Sequence, residues 1–439
     1  MASRREFLGS MASAAALPIA SGAAWNPSWR EIAAELAATT HPTPQDAADD
    51  EEFWARVQLA FTVDRNIVNL NNGGVSPSPA VVQDAQKRHL DFANSTPPPT
   101  ALWSILEPRK ETVRDRLARQ WGVDAEEIAI TRNASESLQI CQLGFDLVRG
   151  DEVLTTTQDY PRMITTFKQR ERREGIVLRQ VKLPVPAEDP EDVVRIFQQA
   201  ITSRTRLILV SHVVNLTGQI LPIKAVVAMA RQRNIPVIVD GAHAFAHLDF
   251  KLSDLGCDYY GVSLHKWLHA PHGTGLLYVR RDKIKALWPM MGADDTLDSD
   301  IRKFEQIGTH PAAGFLAIAE ALTFYQSIGP ARKEARLRHL RDLWATRLLG
   351  HKSGRVTLNT SLHPDHSAGI ANVRIAGLDS TKLVAWLGSR RILTTPIKHD
   401  EFEGVRVTPS VYTTVEEIER FCEAVEDVIE KGLPVNEKP

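Results

Sequence analysis

The stretch VSLHKWLHAPHGTGLLYV, Val262 to Val279, sets one lysine, Lys266, among three histidines, with an apolar run before it and glycines after it. An amine in that setting is a surface charge, a neighbour of a metal site, or a nucleophile held in a pocket. Two upstream stretches bear on the choice. VIVDGAHAFAH places Asp240 at the end of an apolar run, where a carboxylate needs a cationic or hydrogen-bonded partner. AITRNASESLQI places Asn133, Ala134, Ser135 and Glu136 at a strand-to-helix turn. A helix N-terminus offers free N–H groups and the positive end of the helix dipole, so it receives an anion. Asn and Ser are also the commonest helix caps, so the turn alone decides little.

An aspartate and a lysine on neighbouring strand ends, facing an anion site, admit two readings. One is a salt bridge closing a sheet. The other is a pyridoxal phosphate pocket, in which the lysine forms a Schiff base, the aspartate keeps the pyridine nitrogen protonated, and the helix terminus holds the phosphate. Tyr160 follows a further strand and can stack on a ring, and Asn215 ends the strand before Asp240, within reach of a cofactor hydroxyl. A simple salt bridge requires neither. A metal at His265, His269 and His272 is disfavoured, because no carboxylate or cysteine accompanies them and Pro271 interrupts any helix. The glycines of PHGTGLLYV lack the dinucleotide-binding pattern.

The elements that position these groups alternate along the chain. Strand-like runs at EIAIT, DEVLTTT, IVLRQVKL, RLILVSHV, PVIVDG, YYGVSLH and GLLYV are separated by helical stretches such as EDVVRIFQQAI and KAVVAMARQRN. Several runs are apolar on both faces, as in a mostly parallel sheet covered by helices. In such an α/β sheet, ligands bind beyond the carboxyl ends of the strands. The chain has 439 residues, 43% hydrophobic and 24% charged, with a formal charge of −2. That balance gives no basic field for nucleic acid, and no apolar run reaches the roughly 18 residues of a membrane span. The three cysteines, Cys141, Cys257 and Cys422, are scattered, which excludes a disulfide framework or a paired-cysteine metal site.

The N-terminus carries a paired arginine in SRREFLG, then an alanine-rich stretch and small residues near Ala23. This order reads as a twin-arginine export signal over residues 1–24, which predicts a periplasmic location. Residues 25–75 read as an arm or linker, since Ala37 to Glu52 is polar and proline-bearing. Residues 76–307 read as a large cofactor-binding domain and 308–439 as a smaller C-terminal α+β domain.

DGAHAFAH, SLHKWLHAPHGTGLLYV, NLTGQILPI and NASESL together resemble the motifs of fold-type I pyridoxal phosphate enzymes of the class V aminotransferase family, in the isopenicillin N epimerase-like branch. The resemblance spans roughly residues 60 to 430, nearly the whole mature chain by the length prior. It implies a seven-stranded, mostly parallel sheet in the large domain. It makes Lys266 the Schiff-base lysine and Asp240 the partner of the pyridine nitrogen, with His243 against the cofactor. Ser135, Ser263 and His265, helped by the Ala134 backbone, would hold the phosphate beside Asn133, and Tyr160 would stack on the ring. IGTHP resembles the segment whose Gly308 and Thr309 reach the phosphate of the other subunit, which implies a homodimer with shared sites. GVRVTPSVYTTVEEI resembles the motif whose arginine, here Arg406, binds a substrate carboxylate through its planar fork. NLNNGGVSPSP resembles the loop lining the substrate side, with Asn72 as its contact.

These assignments imply action on the amino group and α-carbon of an amino acid or peptide-like metabolite, with epimerisation, transamination or β-elimination as exits. No cysteine lies between Lys266 and Arg406, which disfavours a desulfurase of the usual kind and leaves elimination without a protein thiol. Export adds a resemblance to periplasmic, siderophore-tailoring aminotransferases. A cofactor-binding partner protein without catalysis is the reading from a different class, and an intact Lys266 and Arg406 argue against it.

Overall fold

The computed structural model describes residues 29–434; the export signal expected over 1–24 lies outside them. The centre is a seven-stranded sheet in the order β2-β8-β7-β6-β5-β3-β4. Its strands are β2 (Ile128–Thr131), β3 (Glu152–Thr156), β4 (Val177–Val181), β5 (Thr205–Ser211), β6 (Val237–Asp240), β7 (Tyr259–Ser263) and β8 (Gly275–Val279). Only β8 runs antiparallel to its neighbours, so the carboxyl ends of the other six point the same way. Alternate residues face opposite sides of a strand. Accordingly Ile208, Val210, Val237, Val239, Tyr260 and Val262 enter one core, while Leu207, Leu209, Ile238 and Tyr259 enter the core on the other face. This double burial is why the strands read as unbroken apolar runs.

A second sheet, in the order β12-β13-β10-β9, is built from β9 (Val356–Leu358), β10 (Ala371–Ile375), β12 (Thr395–Lys398) and β13 (Glu403–Val407). Helix Val415–Lys431 packs Ile418, Phe421, Val425 and Val428 into its core. Two short strands, β1 (Val68–Asn69) and β11 (Ile392–Leu393), pair in parallel and stitch the N-terminal loop to this smaller unit.

Two boundaries differ from expectation. The break expected at residue 308 falls inside the first core, because Ala312, Phe315, Ile318, Leu322 and Phe324 pack beneath the large sheet. The change of core comes within the long helix Pro330–Leu349, where Leu337 belongs to the first core and Leu340 and Trp344 to the second. The arm is not an exposed linker either. Thr43 forms a capping box with Asp46 at the start of helix Pro44–Asp49, and Asp50 caps helix Glu51–Gln58. Phe53, Trp54 and Val57 then bury on one side, Trp54 donates to the Ala47 carbonyl at 2.7 Å, and Arg336 donates to the Ala48 carbonyl at 2.8 Å. The polar residues that suggested a linker are the caps of two docked helices.

Candidate active site

The parallel strand ends converge on a cavity of about 190 Å3. Asn133, Ala134 and Ser135 reach it from the turn after β2, Tyr160 from beyond β3, and Ser211 and Asn215 from the end of β5 and beyond. Asp240 lines it from the last residue of β6, and Ser263, His265 and Lys266 from the end of β7 and the turn after it. His243 and Gly74 complete this part of the wall. Residues separated by more than a hundred positions meet because the sheet delivers its carboxyl ends to one place.

The anion turn has the geometry its sequence suggested. Asn133 caps helix Ala134–Gly144, its side-chain oxygen accepting from the Glu136 N–H at 2.9 Å. Ser263 accepts from the Ala134 N–H at 2.9 Å, tying β7 to the helix terminus. The approach needs glycine at the start of β8, since a Cβ on Gly275 would lie 2.6 Å from the Asn133 nitrogen. His265 is anchored through Nδ1 to the Thr274 carbonyl at 3.1 Å. Burial first, then the neighbouring Lys266 charge, pushes its pKa down to about 4.

Asp240 and Lys266 line the same cavity, and no ion pair within 4.0 Å joins them among the described residues. A salt bridge closing the sheet is therefore not the arrangement. Asp240 accepts from the Ala242 N–H at 3.0 Å, and burial raises its pKa to about 6 against the opposing pull of that bond and of Lys266. Lys266 Nζ instead lies 2.9 Å from His243 Nε2. Burial lowers the lysine pKa to about 8, with Asp240 opposing the shift and Arg406 adding to it. Gly241, next to Asp240, has no room for a side chain: a Cβ would fall 1.8 Å from the Tyr260 ring.

Arg406, on β13, is buried, and its own atoms report a missing partner. It donates to the Asn215 carbonyl at 3.1 Å and to Asn71 Oδ1 at 3.0 Å, while its Nε is buried without a hydrogen bond. Burial lowers its pKa to about 10, partly offset by the nearby Tyr160 phenol. Asn215 Oδ1, on the cavity wall, is likewise buried and unpartnered. Buried polar atoms of this kind ordinarily have partners. These two leave an acceptor in the cavity and a cationic donor beside it. The residues fit pyridoxal phosphate: an amine, a buried carboxylate, an anion turn and an unused amide oxygen surround one space.

The remaining expected residues are placed differently. Asn72 is fully buried and its amide is consumed internally. It donates to the carbonyls of Asn69 and Thr408 and accepts from the Asn69 amide and the Tyr412 hydroxyl. It locks the loop and does not offer a substrate contact; its neighbour Asn71 touches Arg406 instead. Gly308 and Thr309 line a separate surface cleft with Trp103, Lys110 and His310, away from this chain's own Lys266. Tyr160 lines the cavity and is 41% exposed, so its ring borders the mouth. Of the three histidines, His265 and His272 stay edge-on with centroids 6.4 Å apart, His272 facing the Ser76 carbonyl at 3.3 Å, while His269 packs edge-on to Phe61.

Some participants were not anticipated. Asp159 accepts from Thr155, from Thr156 twice, and from the Ser211 N–H and hydroxyl, bridging β3 and β5 just behind the cavity. Trp267 donates to His243 at 3.4 Å. Ser211, Asp159 and Trp267 all lie at or just beyond strand ends, so the rule that found Asp240 reaches them too; their partners across the fold have no local signature.

Known proteins share this fold and family. The family model for class V aminotransferases matches residues 68–421. Isopenicillin N epimerases of Streptomyces clavuligerus and Amycolatopsis lactamdurans are each 32% identical over 85% of this chain and 98% of their own length. A probable cysteine desulfurase of Vibrio cholerae is 26% identical over 83% of this chain and 94% of its own. Among solved structures, the cystine C-S lyase C-DES, in complex with cysteine persulfide, superposes with a TM-score of 0.74 at 24% identity, over 83% of this chain and 98% of that one. The chain belongs to the class V aminotransferase family, in its isopenicillin N epimerase-like branch, and is a pyridoxal phosphate-dependent enzyme.

Proposed function

We propose that this enzyme acts at the amino group and α-carbon of an amino acid or peptide-like metabolite, with epimerisation as its reaction. The observation that carries the reading is Arg406, a buried guanidinium without a carboxylate partner among the described residues, set beside the cavity that holds Lys266. A buried cation without a counter-charge is costly, and a substrate carboxylate supplies that charge. Pyridoxal phosphate, when bound, supplies an electron-withdrawing ring that weakens the bonds at the amine-bearing carbon.

The protein's own groups do the rest. Lys266 provides the amine, and its pKa, lowered by burial to about 8, leaves more of it in the neutral, proton-accepting form near neutral pH than an ordinary lysine has. Asp240 would hold the ring nitrogen, Asn215 the ring oxygen, and Ala134, Ser135, Ser263 and His265 the phosphate, with Tyr160 along the ring. Arg406 orients the substrate so that the α-proton faces the lysine. The thiol chemistry of the desulfurase relatives has no support here, because Cys141, Cys257 and Cys422 are all buried, with their pKa values pushed up by that burial.

The proposal includes a homodimer in which Gly308 and Thr309 complete the partner's phosphate site; both are exposed and line a different cleft from the one that holds Lys266. It also includes export to the periplasm by the twin-arginine route, on the strength of SRREFLG. Among the described residues, no helix is long and apolar enough to cross a membrane. Incubation with candidate amino acids in deuterated water tests the reaction. Deuterium at the α-carbon with both stereoisomers present supports epimerisation. A keto acid, with the recovered amino acid still a single stereoisomer, sinks it in favour of transamination.

A further inference from the structure

Lys266 is held by a hydrogen bond whose direction is set from outside the cavity. Trp267 is fully buried and its indole Nε1 lies 3.4 Å from His243 Nδ1. An indole nitrogen only donates, so His243 Nδ1 accepts and carries no proton. Burial holds the His243 pKa well below the imidazole range, which leaves the ring neutral with a single proton. That proton is then on Nε2, the nitrogen 2.9 Å from Lys266 Nζ.

We propose that Trp267 is a positioning residue that fixes His243 as its Nε2–H tautomer, so that the histidine donates a hydrogen bond to the lysine nitrogen. The donor needs a lone pair to receive it. A neutral amine offers one, whereas an ammonium would set N–H against N–H. The histidine therefore favours the unprotonated, nucleophilic lysine that cofactor capture requires. The other charged groups acting on this amine are Asp240, which favours the ammonium, and Arg406, which opposes it; His265, also beside it, is held neutral by burial.

Trp267 itself is held by two further contacts. Its ring stacks on His247 with centroids 3.8 Å apart, and Lys333 donates to its carbonyl. His247 is fixed by the same logic, since it accepts from the Gly369 N–H at 2.8 Å and so donates through Nδ1 to the His243 carbonyl at 2.9 Å. Two histidines, each with one determined proton, thus link the smaller sheet's approach segment to the lysine.

The test is nitrogen NMR of the full chain labelled at histidine, without cofactor and at about pH 9, above the lysine pKa of about 8, with His243 assigned by loss of its signals in His243→Gln. The expected result is a proton on Nε2 and a bare, accepting Nδ1. Trp267→Phe keeps a ring and removes the donor, and should shift the tautomer ratio toward Nδ1–H by about two- to tenfold, the effect of one ordinary hydrogen bond. A proton on Nδ1 in the unaltered chain overturns the proposal, and so does an unchanged ratio in a folded Trp267→Phe. If that variant does not fold, the spectrum of the unaltered chain decides alone. No catalytic turnover enters the measurement, so its failure is distinct from a failure of the epimerase reading.

Discussion

Arg406 Nη2 donates to Asn71 Oδ1 at 3.0 Å, joining β13 to the N-terminal loop across most of the chain's length. The same amide oxygen accepts from Thr395, which lies opposite Arg406 in the pairing of β12 with β13. The guanidinium is thereby aimed by one loop and one strand, and it reaches the Asn215 carbonyl on the cavity wall.

Arg406→Ala should weaken carboxylate-bearing substrates by about ten- to a hundredfold, since a charge-assisted hydrogen bond contributes about 1.5–3 kcal/mol. Amines of similar size without a carboxylate should be unaffected. Spectral titration of the loaded enzyme with both ligand types measures the difference, and an equal loss for both would remove the carboxylate assignment.

Asn71 and Asn72 should separate site from scaffold. Asn72→Ala removes four internal hydrogen bonds from a buried loop and is expected to cost about 2–4 kcal/mol of stability, with ligand affinity retained in the folded fraction. Asn71→Ala removes the acceptor of Arg406 and of Thr395, is expected to cost about 1–3 kcal/mol of stability, and should weaken carboxylate binding as well, because it frees the guanidinium it aims. Thermal melts paired with ligand titration distinguish the two patterns.

Asp240 makes a pH prediction whose sign follows from its raised pKa of about 6. In the cofactor-free chain the folded state holds this proton more tightly than the unfolded state does, so stability falls as pH rises from about 4 to about 6 and stays lower above that. Asp240→Asn, which carries no charge, should be more stable than the parent near pH 7.5 by about 1–3 kcal/mol and should lose that advantage near pH 4. With cofactor bound the order should reverse at neutral pH, because the parent gains a cationic ring nitrogen and the variant does not. Melting curves of both forms at the two pH values check each part.

The placement of the candidate site residues was legible wherever they sat at the end of an apolar strand. Asp240, Lys266, Ser263 and the Asn133 turn each follow such a run, and the sheet alone brings them together. What escaped depends on contacts without a local pattern. Asn71 and Asn72 are adjacent and chemically identical, and only the parallel bridge of Asn71 with Thr408 decides which of them faces Arg406. The helices of the arm looked like a linker because their caps are polar and their apolar face is short. The domain boundary was misplaced because one continuous helix serves two cores, and periodicity does not say which core a given turn enters. The role of Trp267 depends on a single indole N–H pointed at a histidine 24 positions upstream.

The account stands or falls on the amine at position 266. Purified full-length protein reconstituted with pyridoxal phosphate should be yellow, and borohydride reduction followed by peptide mass spectrometry should find the pyridoxyl group on Lys266. Lys266→Ala should bind the cofactor without a reducible linkage. A label on a different lysine, or a reducible linkage that persists in Lys266→Ala, would contradict the central claim.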